Sequence, residues 1–232
     1  MSTDNITFDA DYIAKETAKT FLDTQSILFN ADEPFRYTSG RVGPVYIDCR
    51  RIISFPKERS RLMDFGADML KNNVGLDNMD ALAGGETAGI PYAAFISERL
   101  NKPMLYVRKK PKGFGRMAQL EGYFEENQNI VLIEDLQNYG KSSGIFVDVI
   151  RKAGGNISDL FVLFQYGISD IPKKNMDALN MKVHALTNWW SALETAKEMN
   201  YFDAKTIDAV ESFLHNPVQW SIDNGGAGED AA

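Results

Sequence analysis

The sequence predicts an α/β protein: a mainly parallel central sheet flanked by helices, with a small N-terminal hood. Three observations carry that expectation. From residue 57 onward, short apolar runs alternate with amphipathic stretches, the rhythm of βαβ units. Ile130-Val131-Leu132-Ile133 is an unbroken apolar run, the pattern of a strand buried on both faces. Two carboxylates, Glu134 and Asp135, follow it, then a small polar loop and a helix with Ile145, Phe146, Val149 and Ile150 at helical spacing. Gly154 and Gly155 stand where helices stop. Open α/β sheets bind ligands at the carboxyl ends of such strands. Loop amides and the helix dipole suit a phosphate, and the acids suit hydroxyls or a metal.

The elements follow in order. A helix is expected over residues 8–28, with Tyr12, Ile13, Thr17 and Phe21 near one face. Residues 35–53 read as turns and extended runs, Val45-Tyr46-Ile47 being β-favouring. Pro56 precedes a second helix, in which Leu62, Phe65, Met69 and Leu70 form the apolar stripe. Strands are expected at 80–83, 104–107, 130–133, 160–164 and 183–186. A glycine turn over 84–89 and a helix over 90–100 separate the first two, and helices at 192–200 and 204–213 close the chain. The implied organisation is 1–56 helix and hood, 57–190 α/β core, 191–222 C-terminal helices, and 223–232 a disordered tail rich in Gly, Ala and acid.

Composition narrows the function. The chain has 232 residues and a formal charge of −7, which argues against a general nucleic-acid or anionic-membrane binder. Neither a signal core nor a membrane-length apolar run is present, so the cytoplasm is the expected compartment. With one cysteine, Cys49, and two histidines, His184 and His215, an internal disulfide or a thiolate–imidazole metal cluster is not expected. Cys49 and His184 read as buried core residues, and the three tryptophans as packing aromatics.

Against this acidic background, residues 108–116 hold five cations in nine positions: Arg108, Lys109, Lys110, Lys112 and Arg116. Most charge runs are simply solvated. This one leaves a strand at its carboxyl end and contains Gly113 and Gly115, so closure over a polyphosphate is the favoured reading. Gly84-Gly85-Glu86-Thr87-Ala88-Gly89 allows either a phosphate approach or a plain tight turn. Gly140-Lys141-Ser142 looks like the end of a P-loop, but Asp135 occupies the position where that motif needs glycine.

The ordered set of motifs resembles the orotate phosphoribosyltransferase family. It comprises Thr-Ser-Gly-Arg-x-x-Pro-x-Tyr-Ile-Asp, Gly-x-Thr-Ala-Gly-Ile-Pro, Val-Arg-Lys-Lys-Pro-Lys-x-Phe-Gly and a hydrophobic run ending Glu-Asp-Leu; with a C-terminal Asn-Trp-Trp segment, the likeness covers residues 35–220. The resemblance implies a type I phosphoribosyltransferase fold and transfer of phosphoribosyl from phosphoribosyl pyrophosphate to orotate, with Mg²⁺. It also implies a homodimer whose basic loops serve the partner's site. Residue by residue, it implies pyrophosphate and transition-state contacts for Arg108, Lys109 and Lys112, with Lys112 foremost. Glu134 and Asp135 match the ribose-binding acids, with Mg²⁺ carried by the substrate nearby. Asn138, Tyr139, Gly140, Lys141 and Ser142 match the 5′-phosphate loop, and Thr87 and Ala88 the pyrophosphate turn. Tyr46 and Ile47 fall where the hood holds the base, beside Arg41 of the hood turn.

Four departures stand out: Phe114 replaces a common histidine, Asn138 a threonine, Lys141 a small residue, and Tyr166 a base-contacting arginine. Two alternatives therefore stay open. One is transfer to another base; the other is a non-catalytic regulator that binds phosphoribosyl pyrophosphate.

Overall fold

The computed structural model describes residues 9–113 and 119–228. Helix α1 (Ala10–Asp23) leads into four short strands, β1 (Ile27–Phe29), β2 (Phe35–Arg36), β3 (Val42–Gly43) and β4 (Val45–Ile47). β1 pairs antiparallel with β4 and β2 with β3, which makes the hood. The expected first helix is therefore too long at its end. Thr24 caps it, Gln25 takes a positive φ, and Ile27 and Phe29 are buried on either side of exposed Leu28. That alternation of period two belongs to a strand.

A 3₁₀ turn (Cys49–Ser54) leads to α2 (Pro56–Asn73), and the alternating core follows. It runs β5 (Ala81–Gly85), α3 (Gly89–Leu100), β6 (Met104–Val107), β7 (Leu120–Glu121), β8 (Asn129–Gln137), α4 (Lys141–Lys152), β9 (Asn156–Gln165), α5 (Ile171–Ala178) and β10 (Lys182–Asn188). Helices α6 (Trp189–Glu198), α7 (Ala204–His215) and α8 (Pro217–Asp223) complete it. The sheet order is β10-β9-β8-β5-β6-β7, with only β7 antiparallel to its neighbour.

Each central strand buries both faces. Val131 and Ile133 join Phe161 and Leu163 in one apolar cluster, with Tyr92 and Ile96 of α3 and Trp189 of α6. Ile130 and Leu132 join Leu160 and Val162 in the other, beneath Phe146, Val147 and Ile150 of α4. Burying each such side chain stabilises the fold by about 1.5–3 kcal/mol. The two helices leaving β5 and β8 thus cover opposite faces. Their strands are direct neighbours, so a crevice opens between them at the carboxyl edge.

Two further differences concern ends. β8 continues past Ile133 to Gln137, so Glu134 and Asp135 lie inside the strand rather than after it. The chain is ordered beyond Asp223: the Gly226 N–H donates to the Ser221 carbonyl (2.7 Å) and the Ala227 N–H to the Gly40 carbonyl (3.0 Å). The tail expected over 223–232 therefore does not begin at 223. Residues 229–232 lie outside the described residues.

Candidate active site

The crevice between β5 and β8 gathers most of the candidate residues. Glu134 is 6% exposed, and its Oε1 has no hydrogen-bond partner. Burial pushes its pKa up from 4.5 to about 8, the neighbouring Asp135 charge adds to this, and Lys109 opposes it. The Asp135 carboxyl is also raised, chiefly by burial, against hydrogen bonds from its own and the Leu136 backbone and the charge of Arg50. Two adjacent acids held partly out of water favour a ligand that brings hydroxyl donors or a cation.

Two glycines that flank the β5–α3 turn allow close approach to β8, one of them to this acid. A Cβ on Gly85 would sit 2.0 Å from Glu134 Oε1, and one on Gly89 would sit 2.2 Å from the Ile133 carbonyl. The turn contains a cis Glu86–Thr87 peptide. Thr87 is exposed and Ala88 half-buried, ahead of α3, whose N-terminus has no side-chain cap. The Lys109 N–H donates to Glu86 Oε2 (2.7 Å), so the root of the basic loop is tied to this turn. α4 is likewise uncapped by any side chain. It starts after Gly140, whose φ is +77°. Uncapped helix starts present free amide donors to an anion.

Asn138, Tyr139 and Gly140 form the bend between β8 and α4, and Lys141 and Ser142 lie exposed in its first turn. Asn175 Nδ2 donates to the Tyr139 carbonyl (2.9 Å), and Arg41 Nη1 donates to the Tyr139 hydroxyl (3.0 Å). In the hood, Tyr46 is exposed with its ring 5.5 Å from that of Phe35, and Ile47 is half-buried. Tyr166 packs edge-on against Phe164 and Trp189. Burial raises its phenol pKa, helped by Cys49, Tyr139 and Tyr46, so the hood, the β8–α4 bend and the end of β9 meet around one ring.

The basic loop divides. The Lys109 charge reaches Glu134, and Lys112 is exposed. The Arg108 guanidinium turns to Glu121 of β7, 3.6 Å away. Phe114 lies outside the described residues.

Sequence reasoning missed Asp48 and Arg50. Asp48 Oδ1 accepts from both the Arg50 N–H (3.1 Å) and Nε (2.9 Å), and the pair flanks Asp135 electrostatically. The local signal was an aspartate at the start of a helical turn, a capping position.

No family model matches the chain. It is 45% identical over 224 residues to the orotate phosphoribosyltransferase of Sinorhizobium fredii, covering 97% of each chain. Identity to the Rhizobium rhizogenes enzyme of that name is 44% over 221 residues, covering 95% of each. Among solved structures, the orotate phosphoribosyltransferase of Aeropyrum pernix matches with a TM-score of 0.65 at 26% identity, over 80% of this chain and 99% of that one. Leishmania donovani UMP synthase matches with a TM-score of 0.72 at 25% identity, over 86% of this chain and 42% of that one. A mostly parallel sheet with paired acids and uncapped helix starts at its carboxyl edge, together with these likenesses, defines a type I phosphoribosyltransferase fold. Within that class, the near-full-length relatives decide the branch: the chain belongs to the orotate phosphoribosyltransferase family.

Proposed function

We propose that this protein transfers the phosphoribosyl group of phosphoribosyl pyrophosphate to orotate, giving orotidine 5′-monophosphate and pyrophosphate, a step of pyrimidine synthesis. The observation that carries the reading is buried Glu134, with an unpartnered oxygen beside Asp135, between two uncapped helix starts. In this reading the acids accept the ribose hydroxyls. Amides at the α4 start, with Asn138 and Lys141, hold the 5′-phosphate. The Thr87 and Ala88 turn holds the diphosphate, and Tyr46, Ile47 and Tyr166 border the base.

The C1′–oxygen bond to pyrophosphate breaks, carrying its electron pair to the leaving group, and the orotate ring nitrogen bonds to C1′ as its N–H proton passes to water. Lys109 and Lys112 stabilise charge growing on the departing diphosphate. The two raised carboxyls, with Glu134 Oε1 unpartnered, also fit Mg²⁺ at their edge, held mainly by substrate oxygens and water. When bound, that ion would neutralise diphosphate charge.

The reading includes a homodimer with shared active sites, in which the part of the basic loop that carries Lys112 serves the partner's site. It also includes a cytoplasmic location, in keeping with the buried free thiol of Cys49. No helix among the described residues is long and apolar enough to cross a membrane. The direct test follows the ultraviolet absorbance of orotate with and without phosphoribosyl pyrophosphate. Loss of orotate only with the sugar diphosphate supports the reading. Equal turnover of uracil or adenine with inert orotate would replace the base, and no turnover of any would remove the enzyme.

A further inference from the structure

We propose that residues 224–228 act as a strap that positions Arg41 against Tyr139, locking the hood to the bend that holds the phosphate. This rests on the phosphoribosyl pyrophosphate reading for its kinetic consequence, though not for its structural one. Buried Ser221, on α8, is the pivot. Its hydroxyl accepts the Val42 N–H (3.0 Å) and donates to the Ala227 carbonyl (2.8 Å). The Ala227 N–H returns to the Gly40 carbonyl (3.0 Å), so the hood turn is held on both sides of Arg41, by the strap at Gly40 and by Ser221 at Val42. Arg41 Nε donates to the Gly228 carbonyl (3.3 Å), which leaves Nη1 facing the Tyr139 hydroxyl at 3.0 Å.

The fit is close. A Cβ on Gly226 would meet Ser221 Oγ at 2.4 Å and the Val42 nitrogen at 2.7 Å. Tyr139 is thus held from two directions, through its carbonyl by Asn175 and through its hydroxyl by Arg41. A long flexible arginine reaching a loop 98 residues away in sequence loses rotamer freedom on pairing. The strap carbonyl fixes the middle of that side chain and so lowers the remaining cost of reaching Tyr139. Arg41 and the strap are positioning elements here, acting on the bend rather than on the reacting carbon.

The test uses Ser221→Ala and Gly226→Ala in the full chain, alone and combined with Tyr139→Phe. Without substrate, hydrogen exchange in residues 137–141 is expected to quicken in both single variants. In turnover, each is expected to raise KM for phosphoribosyl pyrophosphate roughly tenfold while kcat stays within about twofold, the loss of one uniform binding contact. Tyr139→Phe should do the same, and adding Ser221→Ala to it should change little, because both act through one contact. Unchanged exchange and KM, or effects that multiply in the double variant, overturn the strap. If Gly226→Ala fails to fold, Ser221→Ala decides. Absence of product from the unaltered protein defeats the functional reading instead, and the exchange measurement still judges the strap.

Discussion

Replacing Glu134 by glutamine should stabilise the free protein while disabling it, and the gain should depend on pH. The carboxyl has a pKa of about 8 in the folded chain against 4.5 ordinarily, mainly because it is buried. Between those values the folded state holds a proton that the unfolded state releases. Stability is therefore fully present below about 4.5 and is withdrawn as pH rises toward about 8, the reverse of a salt-bridged acid. Each unit of that window costs about 1.4 kcal/mol, so by pH 7 the acid costs about 3 kcal/mol relative to a neutral group of the same shape. Glutamine keeps the shape and cannot ionise. In a domain of this size, about 1 kcal/mol shifts Tm by roughly 2–4 °C. Thermal unfolding followed by circular dichroism from pH 5 to pH 8 should show near-equal midpoints at the acid end. The variant should lead by several degrees at the alkaline end and lose transfer activity. Parallel pH slopes for the two proteins would refute the argument.

Two other substitutions probe the reaction and the turn. Lys112→Ala should lower kcat by a factor on the order of 10² or more with substrate binding largely retained, because the contact grows with leaving-group charge. An unchanged kcat in steady-state assays removes Lys112 from that role. Gly85→Ala puts a methyl within 2.0 Å of Glu134 Oε1, so the acid must move. Overpacking of this kind costs about 1–3 kcal/mol, and calorimetry should find phosphoribosyl pyrophosphate binding weakened by at least tenfold. Binding at full strength would show that Glu134 has slack the close approach does not suggest.

Much of this fold was legible locally. The β8 run Ile130-Val131-Leu132-Ile133 announces a strand buried on both faces because hydrophobic pattern reports burial directly. β6 lies over Met104–Val107, where the pattern put it. The first helix misled because Ile27-Leu28-Phe29 continues its apolar content, and only the packed hood reveals alternate burial. β7 has two residues and α5 eight, too few for a period to register. At the site, the acid pair and the glycine turn could be read from composition. Gly85 standing against Glu134 could not, since 49 residues separate them and the contact exists only once β5 and β8 pair. The same holds for Arg41 and Tyr139, and for Asp48 and Arg50 beside Asp135.

The raised Glu134 pKa also bears on how an acidic protein receives a highly anionic substrate. At pH 7 a carboxyl titrating near 8 is mostly neutral, so the free crevice carries less negative charge than its sequence implies. Ribose hydroxyls donate best to the ionised form, as would a metal ion at its edge, and the Lys109 charge already pulls in that direction. Binding should therefore expel a proton, approaching one per site near neutral pH. Affinity for phosphoribosyl pyrophosphate should rise with pH until about 8 and then level, provided the substrate's own phosphate ionisation is subtracted. Calorimetric titration in two buffers of different ionisation enthalpy measures the proton directly, and Glu134→Gln supplies the baseline. The difference between buffers should shrink in the variant. Equal buffer dependence in both proteins would mean that Glu134 keeps its protonation state on binding and meets the substrate hydroxyls as a neutral acid, which would refute the proton release argued here.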